Sequence, residues 1–356
     1  MWLMVIAGIM TVFLFWHKVS FPDVKARSNV SYSIIIPARN EEKNLERLLS
    51  TLMKDYDDKR EVIVVDDQSD DRTYEIAVKF GATAIQAPPL PKEWMGKSWA
   101  CYNGAKEASG EVLLFLDADT WFSKDGPEKL VQYIVTTGTK ALVTVHPYHY
   151  MCSFWEKLSA VFHLVVFSSS GITPILKKYL GVQGGFGPCL LIYQNTYWEL
   201  EGHHSIRKEI VEHLSMARRA QSKGIKTFAY SGKGIVNMRM YPASLRKVIN
   251  GWSKSFASGA KSASPVMTAA NILWISALAS FLTNLEKAGW WSLAGYFFIS
   301  IWLYRTLKEI GSFKWYDALL IPVYFLFFVL LFIYSLLKTF FSKEMDWKGR
   351  NISNKK

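Results

Sequence analysis

The chain has 356 residues, of which 50% are hydrophobic and 15% aromatic, and its formal net charge is +12 at pH 7. This length allows one α/β domain of ordinary size and additional elements. Three cysteines without a CxxC pair argue against a disulfide framework and indicate a reducing compartment. The positive charge suits nucleic acid, anionic lipid or an anionic substrate, and the apolar segments at both ends favour a membrane over nucleic acid.

The N-terminus predicts a membrane anchor over residues 1–17. It is almost wholly apolar, and Lys18, Lys25 and Arg27 follow it. A cleaved signal peptide carries its positive charge before the apolar run, so this order favours an anchor that is retained. The anchor is slightly shorter than a span of about 20 residues. The positive-inside rule predicts that the chain from Lys18 onward is cytoplasmic.

From Ser31 onward, short apolar strands alternate with amphipathic helices. The predicted strands are 32–36, 61–65, 82–86, 112–116, 141–145 and 190–193, and the predicted helices between them are 41–52, 73–80, 98–109 and 127–138. This alternation predicts a mostly parallel sheet with right-handed crossovers. Neither GxGxxG nor GxxxxGK[ST] occurs, which argues against a Rossmann dehydrogenase and a P-loop protein.

Three predicted strands end in polar clusters, at Pro37 to Glu41, Asp66 to Asp71 and Asp117 to Asp119. Ligands of open α/β sheets bind at the carboxyl ends of the strands. Asp117 and Asp119 directly follow a buried strand and can converge on Mg²⁺ or Mn²⁺, although an Asp-x-Asp alone fits a polar turn equally well. Together the clusters predict a nucleotide site whose phosphates are met by a metal and by Lys97.

Three motifs, residues 34–42, 64–73 and 115–119, resemble in order and spacing the family 2 glycosyltransferases with the GT-A fold. The resemblance covers residues 31–252 and implies a Rossmann-like catalytic domain, a UDP-sugar donor and Mg²⁺ or Mn²⁺. Within the family, residues 96–104 and 145–149 are most similar to membrane-bound enzymes that glucosylate a bacterial carotenoid acid.

The resemblance therefore implies inverting transfer of a hexose, glucose from UDP-glucose, to a lipid-like acceptor such as a carotenoid carboxylate. One alternative is another lipid acceptor, namely a hopanoid, a polyprenyl phosphate or a diacylglycerol. Two rivals from other classes are a metal-dependent nucleotidyltransferase and a non-catalytic lipid carrier. No nucleic-acid partner is expected, and the oligomeric state stays open.

The family roles transfer residue by residue to the donor side. Asp67 matches the aspartate that binds uracil, and Asp119, with Asp117, matches the metal ligand. Arg39 stands where family members often have tyrosine, and its guanidinium can stack on the base or reach a phosphate. The implied donor-binding residues are Pro37, Ala38, Arg39, Glu41, Asp67, Lys97, Asp117, Ala118, Arg246 and Trp252. For the last two, a helix that faces the membrane surface is an equally good interpretation.

On the acceptor side, the resemblance implies a pocket lined by Gly184, Gly185, Phe186 and Gly187, and a tight turn is the alternative. The helix predicted over 209–219 takes the place of the family's Glu-Asp helix, whose aspartate deprotonates the acceptor.

The second position of that pair is His213 here. If Ile210, Leu214 and Ala217 form the packed face, His213 flanks that face and Glu212 points toward solvent. We therefore predict His213 as the base, because a histidine titrates near neutral pH, with Glu212 as the alternative. An ionised carboxylate acceptor depends less on a base.

His146, His149 and His163 invite a metal interpretation, but their spacing matches no zinc signature, so packing is favoured. His163 lies in the apolar run 158–176. We expect that run to be an amphipathic or partly inserted segment on the acceptor side, slightly favoured over a buried core segment.

Residues 253–341 predict membrane or interfacial helices, with apolar segments at 266–283, 290–304 and 318–337. The basic tail, 342–356, is predicted to be cytoplasmic, which requires an even number of spans after the catalytic domain. We therefore place 266–283, the least apolar segment, in the interface. The whole pattern predicts a multi-pass protein of a bacterial-type plasma membrane with a cytoplasmic catalytic domain.

Overall fold

A mostly parallel sheet of seven strands forms the centre of the catalytic part. The computed structural model describes residues 2–24, 29–54, 58–209, 211–241, 244–262, 264–341, 344–347 and 350–353. The strands are β1 (Tyr32–Ala38), β2 (Arg60–Asp66), β3 (Thr83–Gln86), β4 (Val112–Leu116), β5 (Thr120–Phe122), β6 (Ala141–His146), β7 (Tyr148–His149), β8 (Cys189–Tyr193), β9 (Lys226–Ser231), β10 (Val236–Met238), β11 (Glu344–Trp347) and β12 (Arg350–Ser353). The seven-stranded sheet has the order β3-β2-β1-β4-β8-β6-β9.

The sheet confirms the predicted α/β class and adds one reversal. Strand β8 lies between β4 and β6 and is antiparallel to both, whereas all other pairs of this sheet are parallel. The sequence did not predict that reversal, because a strand buried on both faces has a continuous apolar run that carries no sign of its direction. A smaller sheet, β5-β10-β7, was not predicted either.

Several α-helices cover the faces of this sheet. They are α2 (Glu42–Leu52), α3 (Thr73–Lys79), α4 (Gly96–Glu107), α5 (Gly126–Thr137), α9 (Gln194–Glu199) and α10 (Glu212–Ser222). The leucine stripe of α2 is fully buried at positions 45, 48, 49 and 52, each burial contributing about 1.5–3 kcal/mol. In α4, a Cβ on Gly104 would lie 2.5 Å from a methyl of Ile35, so glycine lets this helix approach the sheet.

The remaining helices form a second layer with its own apolar core. They include α1 (Trp2–Leu14), α6 (Phe154–Lys157), α7 (Ala160–Ser169), α8 (Lys177–Leu180), α11 (Leu245–Ser262), α12 (Pro265–Leu282), α13 (Trp290–Ile310) and α14 (Ile321–Phe341). The N-terminal helix is part of this layer. The buried indole of Trp274 donates to Thr11 Oγ1 (3.0 Å), and the indole of Trp302 donates to the carbonyl of Phe15 (3.0 Å). Helix α11 is continuous across residue 252, where the predicted catalytic domain ends.

Two stretches of the described residues are long and apolar enough to cross a membrane, Pro265–Leu282 and Trp315–Leu337. Helix α13 does not meet that criterion, and its last two turns carry Arg305, Lys308 and Glu309. This differs from the expectation that 266–283 is the interfacial segment. The even number of candidate spans agrees with the predicted topology, which stays a prediction. The tail residues Lys343, Lys348, Lys355 and Lys356, like Lys25 and Arg27, lie outside the described residues.

Large apolar side chains are exposed mainly on this helical layer. Examples are Trp290 (85%), Trp291 (71%) and Ile301 (64%), and such a concentration is typical of a surface that meets lipid or another protein. Helix α7, expected to be partly inserted, is instead mostly buried and packs against α12 and α14. The exposed apolar side chains of that region come after the helix, with Tyr179 at 85% exposure.

Candidate active site

A small pocket lies at the carboxyl ends of β1 and β4. Its polar lining comes from four separate segments of the chain. Lys97 begins the first turn of α4, Asp117 follows β4, His203 lies in a 3₁₀ turn, and Glu212 and His213 begin α10. The other lining residues are Pro37, Cys101, Phe115, Leu116, Gly187, Leu190 and Met216.

Lys97 holds the charged side chains of the pocket together. Its Nζ lies 2.7 Å from Asp117 Oδ1 and 2.8 Å from Glu212 Oε1. Burial disfavours both charges, but the attraction within the pair prevails. The pKa of Lys97 is raised well above its ordinary value, and the pKa of Glu212 is lowered well below its own. A carboxylate so strongly held in its ionised form is a weak base.

The orientation of Glu212 corrects the sequence-based expectation. Its side chain is only 12% exposed and points into the pocket, not toward solvent. The helix begins at Glu212, and its buried face consists of Met216, Ala217 and Ala220. Helical residues are about 100° apart, so this face is centred on His213 and leaves Glu212 at its edge. The expectation failed because it took Leu214 into the packed face, together with Ile210, which lies outside the described residues.

The glycine-rich loop lies directly against α10. A Cβ on Gly187 would lie 2.5 Å from Nδ1 of His213, and one on Gly184 would lie 2.5 Å from the side chain of Leu214. A Cβ on Gly185 would lie 3.0 Å from the methyl carbon of Thr144. Phe186 is buried, with its ring 5.0 Å from that of His146. Only Gly187 of this loop lines the pocket, and the others pack the loop onto its neighbours.

The nucleotide side is built from the loops that follow β1 and β2. The register pairs Ala38 with Asp66, and this brings Arg39 next to Asp67. Arg39 donates to the Asp67 carbonyl (2.6 Å), and its guanidinium lies 3.9 Å from the Asp67 carboxylate. Asn40, in the left-handed region at φ 53°, accepts a hydrogen bond from the Asp70 amide (2.8 Å). The two predicted donor loops therefore support each other.

Asp117 and Asp119 flank the buried Ala118 in the turn between β4 and β5. Near Asp119, Arg47 lies over the ring of Trp121 (4.0 Å), and its pKa is lowered by burial although Asp119 opposes the shift. Two carboxylates one residue apart at a strand end are hard oxygen donors that fit Mg²⁺ or Mn²⁺. Lys97 pairs with one carboxylate oxygen of Asp117. That oxygen is not open to a metal ion while the ion pair is intact.

Comparison with known proteins agrees with this architecture. The profile described as glycosyl transferase family 2 matches residues 33–200. The 4,4′-diaponeurosporenoate glycosyltransferase of Staphylococcus haemolyticus (strain JCSC1435) is 32% identical over 335 residues, 91% of this chain and 89% of that protein. The chain belongs to the family 2 glycosyltransferases. The protein of the same name from Staphylococcus aureus (strain USA300) is 31% identical over 90% of this chain and 88% of its own length.

A solved structure of the same fold is the mannosyltransferase PcManGT from Pyrobaculum calidifontis, in complex with GDP-Man and Mn²⁺. It superposes with a TM-score of 0.54 at 17% identity and covers 96% of this chain and 100% of its own. This likeness establishes the GT-A fold for this family 2 glycosyltransferase.

Two predicted donor residues are not at the pocket of this family 2 glycosyltransferase. Arg246 is exposed on α11. Trp252 is buried in the helical layer, where its indole stacks on Phe162 (4.7 Å) and donates to Ser159 Oγ (2.9 Å). The loose Arg-Trp match is not supported, because α11 directs Trp252 toward α7 and α14. This position fits the alternative interpretation, in which the helix belongs to the membrane side.

One residue of the polar lining, His203, was not predicted. Its Nδ1 lies 2.9 Å from the hydroxyl of Tyr197, and burial lowers its pKa to about 4. It lies in the pocket because the 3₁₀ turn 202–206 packs against α4 and α10. The sequence offers no periodic or motif signal for that contact.

Proposed function

We propose that this glycosyltransferase transfers glucose from UDP-glucose, with inversion, to the carboxylate of a membrane-dissolved carotenoid acid. The observation that carries the proposal is the pocket in which Lys97 joins a strand-end carboxylate, Asp117, to the acceptor-side pair Glu212 and His213. The relatives named 4,4′-diaponeurosporenoate glycosyltransferase, similar over about nine-tenths of the chain, support the acceptor class.

On the donor side, Asp67 and Arg39 bind the nucleoside, while Pro37, Ala38 and Glu41 shape the turn around it. Asp119, with Asp117, would hold the divalent ion, which stabilises the charge on the leaving diphosphate. The Mn²⁺ and the nucleotide sugar in the related mannosyltransferase fold support that assignment. The ammonium of Lys97 pairs with Asp117, and in this position it can leave that carboxylate and bind a phosphate oxygen of the donor instead.

On the acceptor side, His213 is proposed to face the attacking oxygen, and Glu212 to position it. The His213 Nδ1 lies 3.8 Å from Glu212 Oε1 and under the Gly187 backbone. Because the lowered pKa of Glu212 makes it a weak base, His213 is the better candidate to take a proton from a hydroxyl acceptor. A carotenoid carboxylate is ionised near neutral pH and needs a partner that orients it.

The proposed location is a bacterial-type plasma membrane, with the catalytic part on the cytoplasmic side. The two candidate spans and the exposed tryptophans of α13 support insertion. Cys152 is exposed, whereas Cys101 and Cys189 are buried, so the catalytic part carries a natural reporter. An impermeant thiol reagent should label Cys152 only after cell lysis, and labelling of intact cells would place the catalytic part outside.

The side of the membrane on which the C-terminal tail lies can be tested with the same reagent. In a Cys152→Ser background, a Ser353→Cys variant should be protected in intact cells and labelled after lysis. Labelling in intact cells would mean an odd number of spans after the catalytic part.

The activity is tested with membranes or detergent-purified full chain, radiolabelled UDP-glucose, and a carotenoid acid beside the matching carotenoid alcohol and a diacylglycerol. We expect a glucosyl ester of the acid, with UDP as the other product. Release of glucose 1-phosphate, with UMP transferred to an acceptor, would identify a nucleotidyltransferase. Glucosylation of the diacylglycerol alone would show that the acceptor is a diacylglycerol and not the carotenoid acid. Transfer to no acceptor from any of UDP-, GDP- and ADP-glucose would overturn the proposal.

A further inference from the structure

Three buried histidines from three different elements converge beneath the acceptor loop. His146 ends β6, His149 ends β7, and His163 lies in α7. Their ring centroids are 4.4–5.5 Å apart, and one nitrogen from each ring lies within 4.8 Å of those of the other two. Their spacing in the sequence matches no zinc signature and favoured simple packing. The tertiary fold can nevertheless bring ligands together at spacings that no signature covers.

Of the three rings, His146 makes a hydrogen bond that fixes its tautomer. His146 Nδ1 lies 3.0 Å from the Pro147 carbonyl, so its protonated nitrogen is Nδ1 and its lone pair is on Nε2. Metal-binding histidines commonly donate their second nitrogen to such a carbonyl. Within the part of the chain that the structure describes, His149 Nδ1 and both ring nitrogens of His163 have no hydrogen-bond partner. Buried polar atoms without partners are rare, and a bound ion or an ordered water is the usual explanation.

The surroundings keep the imidazoles neutral. His149 and His163 are each 1% exposed, and His146 is 7% exposed. Burial lowers the pKa of all three, to about 4 for His146, so their lone pairs stay available at neutral pH. The rings of Phe167, Phe186 and Trp252 pack around the group. A neutral imidazole is the form that binds a metal.

We propose that His146, His149 and His163 together bind one late first-row divalent metal ion, with Zn²⁺ as the representative. Three imidazoles suit Zn²⁺ better than Mg²⁺, which prefers oxygen donors and six ligands. Zn–N bonds of about 2.0–2.1 Å would place the nitrogens about 3.3 Å apart, so the rings need to close by roughly 1.5 Å. The site is distinct from the pair Asp117 and Asp119 in residues and in ligand chemistry.

The ion would connect the acceptor loop to the helical layer. His146 contacts Phe186 of the loop, and His163 belongs to α7, which packs against α12 and α14. The inference does not depend on the identity of the donor or the acceptor, because it concerns binding of the ion alone.

The experiment measures metal content in the purified full chain in detergent, with excess Mg²⁺ present so that oxygen-ligand sites are occupied. We expect about one zinc per chain in the wild type and in Asp119→Asn, and less than about a fifth of that in His149→Gln and His163→Leu. The matched control is His204→Gln, which removes an exposed histidine and should keep its zinc. Folding of each variant is checked by gel filtration and by circular dichroism.

A second measurement uses only the wild-type chain, in case His163→Leu does not fold. Metal-stripped protein is titrated with Co²⁺ in excess Mg²⁺ and monitored in the visible range. Nitrogen-ligated Co²⁺ should develop absorption that saturates near one equivalent and disappears when Zn²⁺ is added. The proposal is overturned if the folded protein shows no such absorption, or if zinc content is the same in His149→Gln, His163→Leu and the wild type.

Discussion

The two halves of the active site are built differently. The nucleotide half consists of loops that directly follow β1, β2 and β4, and hydrogen bonds such as Asn40 amide to Ser69 Oγ (2.9 Å) and Glu41 amide to Thr73 Oγ1 (2.9 Å) join them. The acceptor half is assembled from α4, the glycine loop, a 3₁₀ turn and α10. Its charged groups are held mainly by one lysine, Lys97, between Asp117 and Glu212.

The difference indicates that the nucleotide half is already close to its binding form and the acceptor half is not. The loops after β1 and β2 pair several of each other's amides, so we expect little rearrangement there when a nucleotide binds. In the proposed acceptor half, Lys97 pairs with one oxygen of Asp117 and one of Glu212, so we expect one of these ion pairs to loosen when a metal or an acceptor binds. Variants of the two halves should therefore fail in different ways, in donor binding or in turnover.

The largest effect is expected where the halves meet, at Asp119. Asp119→Asn removes a charged oxygen proposed to hold the ion on the leaving diphosphate, and turnover should fall by about 10²–10⁴-fold. Excess chelator should have the same effect on the wild type, reversible with Mn²⁺ or Mg²⁺. Asp125→Asn, an exposed carboxylate in a left-handed turn that asparagine tolerates, is the control. Full turnover in chelator would remove the metal from the mechanism.

The next effect isolates the acceptor half. With a hydroxyl acceptor, His213→Asn should lower kcat by about 10²–10⁴-fold while competition by UDP is unchanged. With a carboxylate acceptor no proton is removed, and the loss should stay below about tenfold. His213→Asp should restore much of the activity toward the hydroxyl.

Glu212→Gln is the companion variant, because it removes the charge that pairs with Lys97 and leaves the imidazole in place. Its loss should be smaller than that of His213→Asn when both are assayed with the hydroxyl acceptor. The assignment of His213 as the base is wrong if His213→Asn resembles the wild type with both acceptors and Glu212→Gln is inactive.

A smaller effect should appear in the nucleotide half alone. If Asp67 binds the uracil edge, UDP should compete with the donor at least about tenfold better than GDP or ADP, since a wrong base leaves polar groups unpaired. Asp67→Ala should weaken the binding of UDP and reduce its advantage over GDP and ADP. The kcat at saturating donor should be less affected. Asp70→Ala, an exposed carboxylate of the same loop, should change neither value. Equal inhibition by the three diphosphates in the wild type would contradict the assignment.

The smallest expected effect tests the contact between the glycine loop and α10. Gly187→Ala places a Cβ 2.5 Å from His213 Nδ1, so the imidazole must shift and kcat should fall by about tenfold with UDP binding kept. Gly8→Ala, whose Cβ would only touch the Phe298 ring at 3.8 Å, is the control. If Gly187→Ala weakens UDP binding and leaves kcat unchanged, the loop belongs to the donor half.

Six strands of the large sheet, and the meeting of three polar strand ends at one sheet edge, were predictable because local information is sufficient for them. Buried strands such as 112–116 are continuous apolar runs, and parallel strands bring their carboxyl ends to one edge. Asp67, Asp117 and Asp119 were therefore expected at the same edge of the sheet, and β2 and β4 do lie on either side of β1. The GT-A fold was implied by the resemblance of the three motifs to the family.

Other features were decided only by the tertiary structure, because they depend on which surfaces meet. The burial of Glu212 depends on the rotation of α10 about its axis, and apolar residues on several sides of that helix allowed more than one packed face. Trp252 and α1 lie in the helical layer because α7, α12 and α14 offer them a partner surface. His163 sits in an apolar run where periodicity indicates burial and nothing more. Its position beside His146 and His149 arises from contacts between segments that no local pattern connects.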